Sequence, residues 1–272
     1  MGAAGAPRIP PDFAGALEVC IFLAENLPYG IHRLVLWNID LTLLDVAQVT
    51  REALADAFRE MTGRPLVRLP RMADRADSEV FFEALALNAE EMAAGGNSQH
   101  LLEGYTEALT NAFAARQPQL AQKGRLLPGA REALTAVGQL DGVVQTVLTG
   151  SIQPNALAKL RAFGLATLVD TEIGGYGSEA YPRGTLLQVT RSRAAEARGV
   201  TFGEGATVYI GDGPRDVEAA RIGGAWAITV ASGRATHAEL AAVGADAVFT
   251  DLTDTAALTR TIDELTLPRG QE

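Results

Sequence analysis

The chain has a single cysteine, Cys20. An internal disulfide and a cysteine-based metal site are therefore excluded, and nothing demands an oxidising compartment. Histidine is nearly as scarce. His32, His100 and His237 are scattered and fall in no motif, which leaves a histidine zinc site or a Ser-His-Asp triad without a foundation. Positive charge is also in deficit. Lys and Arg together number 23 against 33 Asp and Glu, a formal net charge of -10. A nucleic-acid surface needs a basic footprint, so no nucleic-acid partner is expected. No apolar run is long enough to span a bilayer. The stretch 13–24 resembles a signal core, but Glu18 interrupts it and Arg8 is a weak basic lead. The expectation is a cytoplasmic protein with no membrane partner. Its oligomeric state is open.

What is present is an ordinary globular balance, 47% apolar and 21% charged over 272 residues. That length suits one large or two modest domains. Residues 1–31 read as an N-terminal extension. A Pro/Gly/Ala-rich lead precedes one helix, whose apolar edge is Phe13, Leu17, Cys20, Ile21 and Leu27.

From residue 33 short apolar runs alternate with helical patterns. The runs lie at 34–39, 143–148, 206–210 and 225–230. A run apolar on both faces suits a strand buried in a parallel sheet. Helical periodicity covers 154–163, 185–198 and 216–222, so the pattern predicts an α/β fold with a doubly wound parallel sheet. Residues 51–125 break the rhythm with helical patterns at 51–61, 78–91 and 100–116, the last two separated by Gly95 and Gly96. About 75 residues is far more than a simple crossover needs. The expected organisation is a core of residues 32–50 and 126–272 with an inserted helical cap domain at 51–125.

Each predicted strand ends in polar residues, where such sheets bind ligands. The first ends Trp37-Asn38-Ile39-Asp40-Leu41-Thr42, the second Leu148-Thr149-Gly150-Ser151, and another Gly211-Asp212-Gly213-Pro214-Arg215-Asp216. Tyr181-Pro182-Arg183 lies between the last two. Alternation along an extended segment puts positions 38 and 40 on one side. Each motif alone is common, and their order and strand-end positions make the set specific.

The set resembles the haloacid dehalogenase-like hydrolase superfamily, most of whose members are magnesium-dependent phosphatases. The resemblance runs from about residue 33 to about 265, and the helical insert looks like the C1 cap of phosphoglycolate-phosphatase-like members. It implies a nucleophile at position 38 and a general acid/base at Asp40. Thr149 and Gly150 would bind phosphate, with Arg183 in place of the usual lysine. It implies Mg²⁺ held by residue 38, the backbone carbonyl of Asp40 and Asp212, with Thr42 and Asp216 in support. Arg75 and Asp77 match loosely a cap segment that selects the substrate, which would be a small phosphorylated metabolite.

Asn38 departs from this pattern. An amide is a poor nucleophile for phosphorus and brings no charge to a metal, so turnover should collapse while phosphate binding could survive. Two accounts follow. In one, Asn38 is an engineered inactivation of a phosphatase with aspartate there. In the other, it is natural, and the protein binds a phosphorylated ligand without hydrolysing it. The retained acid/base and phosphate-binding residues favour the first. A phosphomutase shares the same core, and a metal-free dehalogenase is disfavoured by the Asp212–Asp216 motif. Simpler roles are expected for several neighbours: a turn for Asp45, a helix cap for Ser151, loop orientation for Thr42, a surface ion pair for Arg215 and core packing for Trp37. Arg75 and Asp77 could equally be a solvated pair.

Overall fold

The computed structural model describes residues 32–72, 75–88 and 98–267. The expected N-terminal helix and the Gly95–Gly96 break lie outside them.

The chain runs β1 (Arg33–Trp37), β2 (Leu44–Asp45), α1 (Ala47–Thr62), α2 (Asp77–Asn88), α3 (Ser98–Ala115), α4 (Gln117–Lys123) and β3 (Arg125–Leu126). There follow α5 (Ala130–Val137), β4 (Val143–Val147), α6 (Gln153–Ala162), α7 (Arg183–Arg198), β5 (Thr207–Gly211) and α8 (Pro214–Gly223). β6 (Trp226–Val230), α9 (His237–Ala242), β7 (Ala247–Phe249) and α10 (Thr255–Thr266) complete it.

Five strands form one parallel sheet in the order β4-β1-β5-β6-β7. β1 lies inside the sheet between β4 and β5, which is why all five of its residues are buried. Its side chains alternate between two cores. Val35 and Trp37 join the cluster built with α5, α6 and α10, whereas Leu34 and Leu36 join the one built with α7 and α8. Helices thus cover both faces, as the apolar runs predict. The chain leaves β1 toward β4 on one side and returns to β5 on the other. That reversal opens a crevice at the carboxyl end of β1.

The helical insertion begins and ends at a two-stranded antiparallel ribbon, with Leu44 opposite Leu126 and Asp45 opposite Arg125. Within it, α1 buries Ala53, Leu54, Ala57 and Phe58 and stops at Gly63, whose φ of 69° suits a left-handed cap. Phe81 of α2 stacks on Tyr105 of α3 with ring centres 3.9 Å apart. These helices share one apolar cluster with the sheet face that carries Val35 and Trp37, and the described residues form a single compact unit. No helix among the described residues is long and apolar enough to cross a membrane.

Candidate active site

The sheet delivers the key residues to one place. The Asn38 N–H donates to the Ile210 carbonyl (2.8 Å), so residue 38 remains in register beside β5, just ahead of Asp212. The chain then curls. The N–H groups of Leu43 and Leu44 both reach the Ile39 carbonyl, and Leu41 adopts φ 61°, a left-handed conformation unusual for leucine. The curl returns Thr42 toward Asn38.

Two hydrogen-bonded clusters result. In the first, the Asn38 side-chain amide nitrogen donates to Asp212 Oδ1 (2.9 Å), the Asp40 carbonyl (3.0 Å) and Thr42 Oγ1 (3.2 Å). The Thr42 hydroxyl donates in turn to Asp212 Oδ1 at 3.2 Å. Asn38, Thr42 and Asp212 are all buried. In the second, Lys159 Nζ grips both oxygens of Asp40 (2.6 and 2.9 Å) and also donates to Ser151 Oγ (2.8 Å). The Ser151 hydroxyl donates to Asp40 Oδ2, and its N–H donates to Thr149 Oγ1. Residues 38, 40, 149 and 212 therefore converge, linked by short polar contacts.

Lys159 is the functional residue that the sequence reading missed. It projects from α6 and its side chain is 2% exposed. Ile152, Ala156 and Leu160 are buried at helical spacing around it, so the available signal was a lysine on an apolar stripe. It is also one of only two lysines among 23 basic residues. Ser151 is a correction. The residue preceding α6 is Ile152, with no side-chain cap, and the Ser151 hydroxyl serves Asp40 and Lys159 instead.

Arg183 does not pair with Asp40. Its guanidinium donates to Asp216 Oδ1 at 2.5 Å, beside the Tyr209 hydroxyl, which lies 2.8 Å from the same oxygen. Asp216 Oδ2 accepts the N–H groups of Asp212 and Gly213, both at 3.0 Å. Asp216 thus organises the loop after β5. Burial disfavours the Arg183 charge, but Tyr209 and Asp216 outweigh it and push the guanidinium pKa up. Burial, followed by the Asp216 charge, also raises the Tyr209 phenol. Arg183 still reaches the loop of Thr149 and Gly150, because a Cβ on Gly150 would lie 2.8 Å from its Nη2.

Arg75 and Asp77 sit over the same loop. That imagined Cβ would also lie 2.3 Å from the Arg75 carbonyl, a close approach that glycine alone permits. The Asp77 N–H donates to the Gly150 carbonyl, and Asp77 Oδ2 accepts the Ile152 N–H, both at 2.9 Å. The Arg75 side chain pairs with Glu83. Burial raises the Asp77 pKa. Lys159 and the Ile152 N–H oppose that rise, and the Asp40 charge adds to it. Other simple roles hold: Asp45 accepts the Ala47 N–H at the start of α1, Arg215 pairs with Glu79, and Trp37 is wholly buried.

The clusters face a cavity of about 440 Å³ between the sheet edge and the helical insertion. Arg51, Arg71, Arg75, Lys159, Arg183 and Arg234 line it, against the carboxylates Asp40, Asp45, Asp77 and Asp212. Two of these cations, Arg75 and Arg183, pair with Glu83 and Asp216 outside the lining, and the density of basic groups at the wall suits an anionic ligand.

The resemblance implies magnesium, a hard cation that seeks oxygen ligands, anionic ones above all. The residues present do not fit it. Both oxygens that would face the ion, Asp212 Oδ1 and the Asp40 carbonyl, already accept from the Asn38 amide. Asp216 is taken up by Arg183, Tyr209 and two backbone N–H groups. Among the described residues no group of three or more His, Cys, Asp or Glu side chains could hold a metal ion.

Comparison with solved structures agrees with this fold. CbbY from Rhodobacter sphaeroides, solved in complex with phosphate, is similar at 17% identity and a TM-score of 0.58, over 82% of this chain and 96% of that one. A hydrolase from Pseudomonas syringae is similar at 21% identity and a TM-score of 0.60, over 86% and 98%. A predicted phosphoglycolate phosphatase from Haemophilus somnus follows at 18% identity and 0.57, over 84% and 98%. No curated protein matches the chain. The family of haloacid dehalogenase-like hydrolases matches residues 35–221, a span that takes in both acidic loops and the helical insertion. By that match the chain belongs to the haloacid dehalogenase-like hydrolase family.

Proposed function

We propose that the cavity binds a small phosphorylated metabolite, and that its scaffold is that of a phosphomonoester hydrolase whose nucleophile position is filled by Asn38. The observation that carries this reading is the meeting of Asn38, Asp40, Thr149 and Asp212 at one cavity with Lys159 among them. Phosphoryl transfer asks for an in-line nucleophile, an acid for the leaving oxygen, and positive charge around the equatorial oxygens. Thr149 and Gly150 lie on the loop before α6, and Lys159 and Arg183 bring charge to it. These four groups hold and orient the phosphoryl end. Asp40 is the acid/base. Its ammonium partner must part from it before it can pass a proton to a leaving alcohol. Residues 51–125 act as the cap that selects the substrate and excludes water, with Arg75 and Asp77 near the mouth.

Asn38 has no lone pair fit to attack phosphorus, so this chain forms no aspartyl-phosphate. Hydrolysis with magnesium belongs to the Asn38→Asp form. The neat satisfaction of the Asn38 amide supports a second reading, in which a chain with asparagine here binds its ligand without turning it over. The deciding experiment is phosphate release from a broad panel of phosphomonoesters by the native chain and by the Asn38→Asp variant with Mg²⁺. Release by the variant alone is expected for a hydrolase stalled at residue 38. Binding without release by either form establishes the second reading. An isomerised sugar phosphate without free phosphate would identify a mutase.

A further inference from the structure

We infer that the side-chain amide of Asn38 stands in the place of a divalent cation, so that this chain balances its acidic cluster and binds its phosphate ligand without one. The ligand half of this inference rests on the function proposed above. The cation half rests on geometry alone.

The amide nitrogen sits where three oxygens converge: Asp212 Oδ1, the Asp40 carbonyl and Thr42 Oγ1. Its two hydrogens serve this acceptor set, and the Thr42 hydroxyl supplies a further donor to Asp212 Oδ1. The Asp212 carboxylate, 3% exposed, is thereby held by neutral donors. Turning the amide over would aim its oxygen at a carboxylate oxygen and a carbonyl, acceptors against acceptors with no proton between them. The hydrogen-bond network therefore fixes which end faces Asp212. A cation entering this point would have to displace the N–H group and accept a neutral ligand where a hard ion prefers a carboxylate. The other carboxylate of the loop, Asp216, is turned to Arg183 and Tyr209.

The charge that a phosphoryl group needs comes from the cavity walls. Lys159 and Arg183 flank the loop of Thr149 and Gly150, and four more arginines line the same space. Replacing Asn38 by aspartate reverses the logic. It removes both hydrogens and sets a second carboxylate against Asp212, a repulsion that a bound cation relieves.

The test is thermal denaturation of the full chain with MgCl₂ or with EDTA. The native melting temperature is expected to be the same in both, whereas Mg²⁺ should raise that of Asn38→Asp by about 3 °C or more. The double variant Asn38→Asp/Asp212→Asn restores a single carboxylate and should again ignore Mg²⁺. An equal rise in the native chain, or no rise in Asn38→Asp, overturns the inference. If Asn38→Asp does not fold in either buffer, the native chain and the double variant still decide. Calorimetry with inorganic phosphate supplies the second arm. Native affinity with EDTA should equal that with Mg²⁺ within about twofold, and Asn38→Asp should gain about tenfold or more from the ion. Native binding that requires Mg²⁺ overturns the inference. Absence of phosphate binding in both buffers instead defeats the function proposed above, and the melting curves still judge the cation.

Discussion

On one half of the cavity floor, Asp212 is held by an amide and a hydroxyl. On the other half, Asp40 is held by an ammonium brought from a separate helix. Both carboxylates stand at strand ends, yet they are compensated by different physics. Asp212 is deeply buried and receives neutral side-chain donors from residues four apart on one loop. Asp40 is about a third exposed, but its partner Lys159 is almost wholly enclosed. The donors of the first arrangement lie within five residues of one loop, and the carboxylate they serve arrives from the end of the neighbouring β5. The second needs the sheet and α6 in register before it can form, so it ties the site to the fold.

The largest effect should come from breaking the ammonium half. Asp40→Ala leaves the enclosed Lys159 with Ser151 as its remaining close side-chain acceptor. Stranding a buried charge in this way is expected to cost about 3 kcal/mol in urea unfolding. Lys159→Met leaves an acid with access to water and should cost less. The double variant should be more stable than the two single losses added together, which a double-mutant cycle measures.

The amide half should break more gently. Asn38→Ala deprives Asp212 and the Asp40 carbonyl of one donor, while Thr42 remains. A loss of about 1 kcal/mol is expected, and equilibrium unfolding would detect it. A loss as large as that of Asp40→Ala would erase the distinction between the halves.

The smallest effect concerns Asp77, which lies close enough to feel both Lys159 and Asp40. Its pKa is raised on folding, chiefly by burial, so the native state binds its proton more readily than the unfolded chain. Its contribution is thus full below the ordinary aspartate range and is lost as pH rises through the elevated folded value. Asp77→Asn keeps an oxygen for the Ile152 N–H but cannot ionise. The variant should match the native chain in acid and become slightly more stable than it as pH rises toward neutrality. Unfolding midpoints measured across that window check the sign.

The sequence conveyed the sheet better than its margins. β1, β5 and β6 stand inside the sheet, so their apolar runs are unmistakable. β7 is a three-residue edge strand of half-buried side chains, and the ribbon of β2 and β3 has two residues a strand. Elements that short show no period to read. The helix expected from residue 51 begins at Ala47, because Asp45 turns the chain into it. Asn38, Asp40, Thr149 and Asp212 were legible since each follows a strand. Lys159 was not, since a cation in mid-helix announces itself only once the helix is seen packed on the loop it serves. Arg183 was legible as a basic group near the site, but its engagement with Asp216 and Tyr209 depends on contacts across two helices and a strand.

The bonds that the Asp77 N–H and side-chain carboxylate make with the loop at Gly150–Ile152 give that loop a double allegiance. It forms part of the floor, and it anchors the roof. On the function proposed above, a ligand seated at Thr149 would bear on the cover as well, through these two bonds.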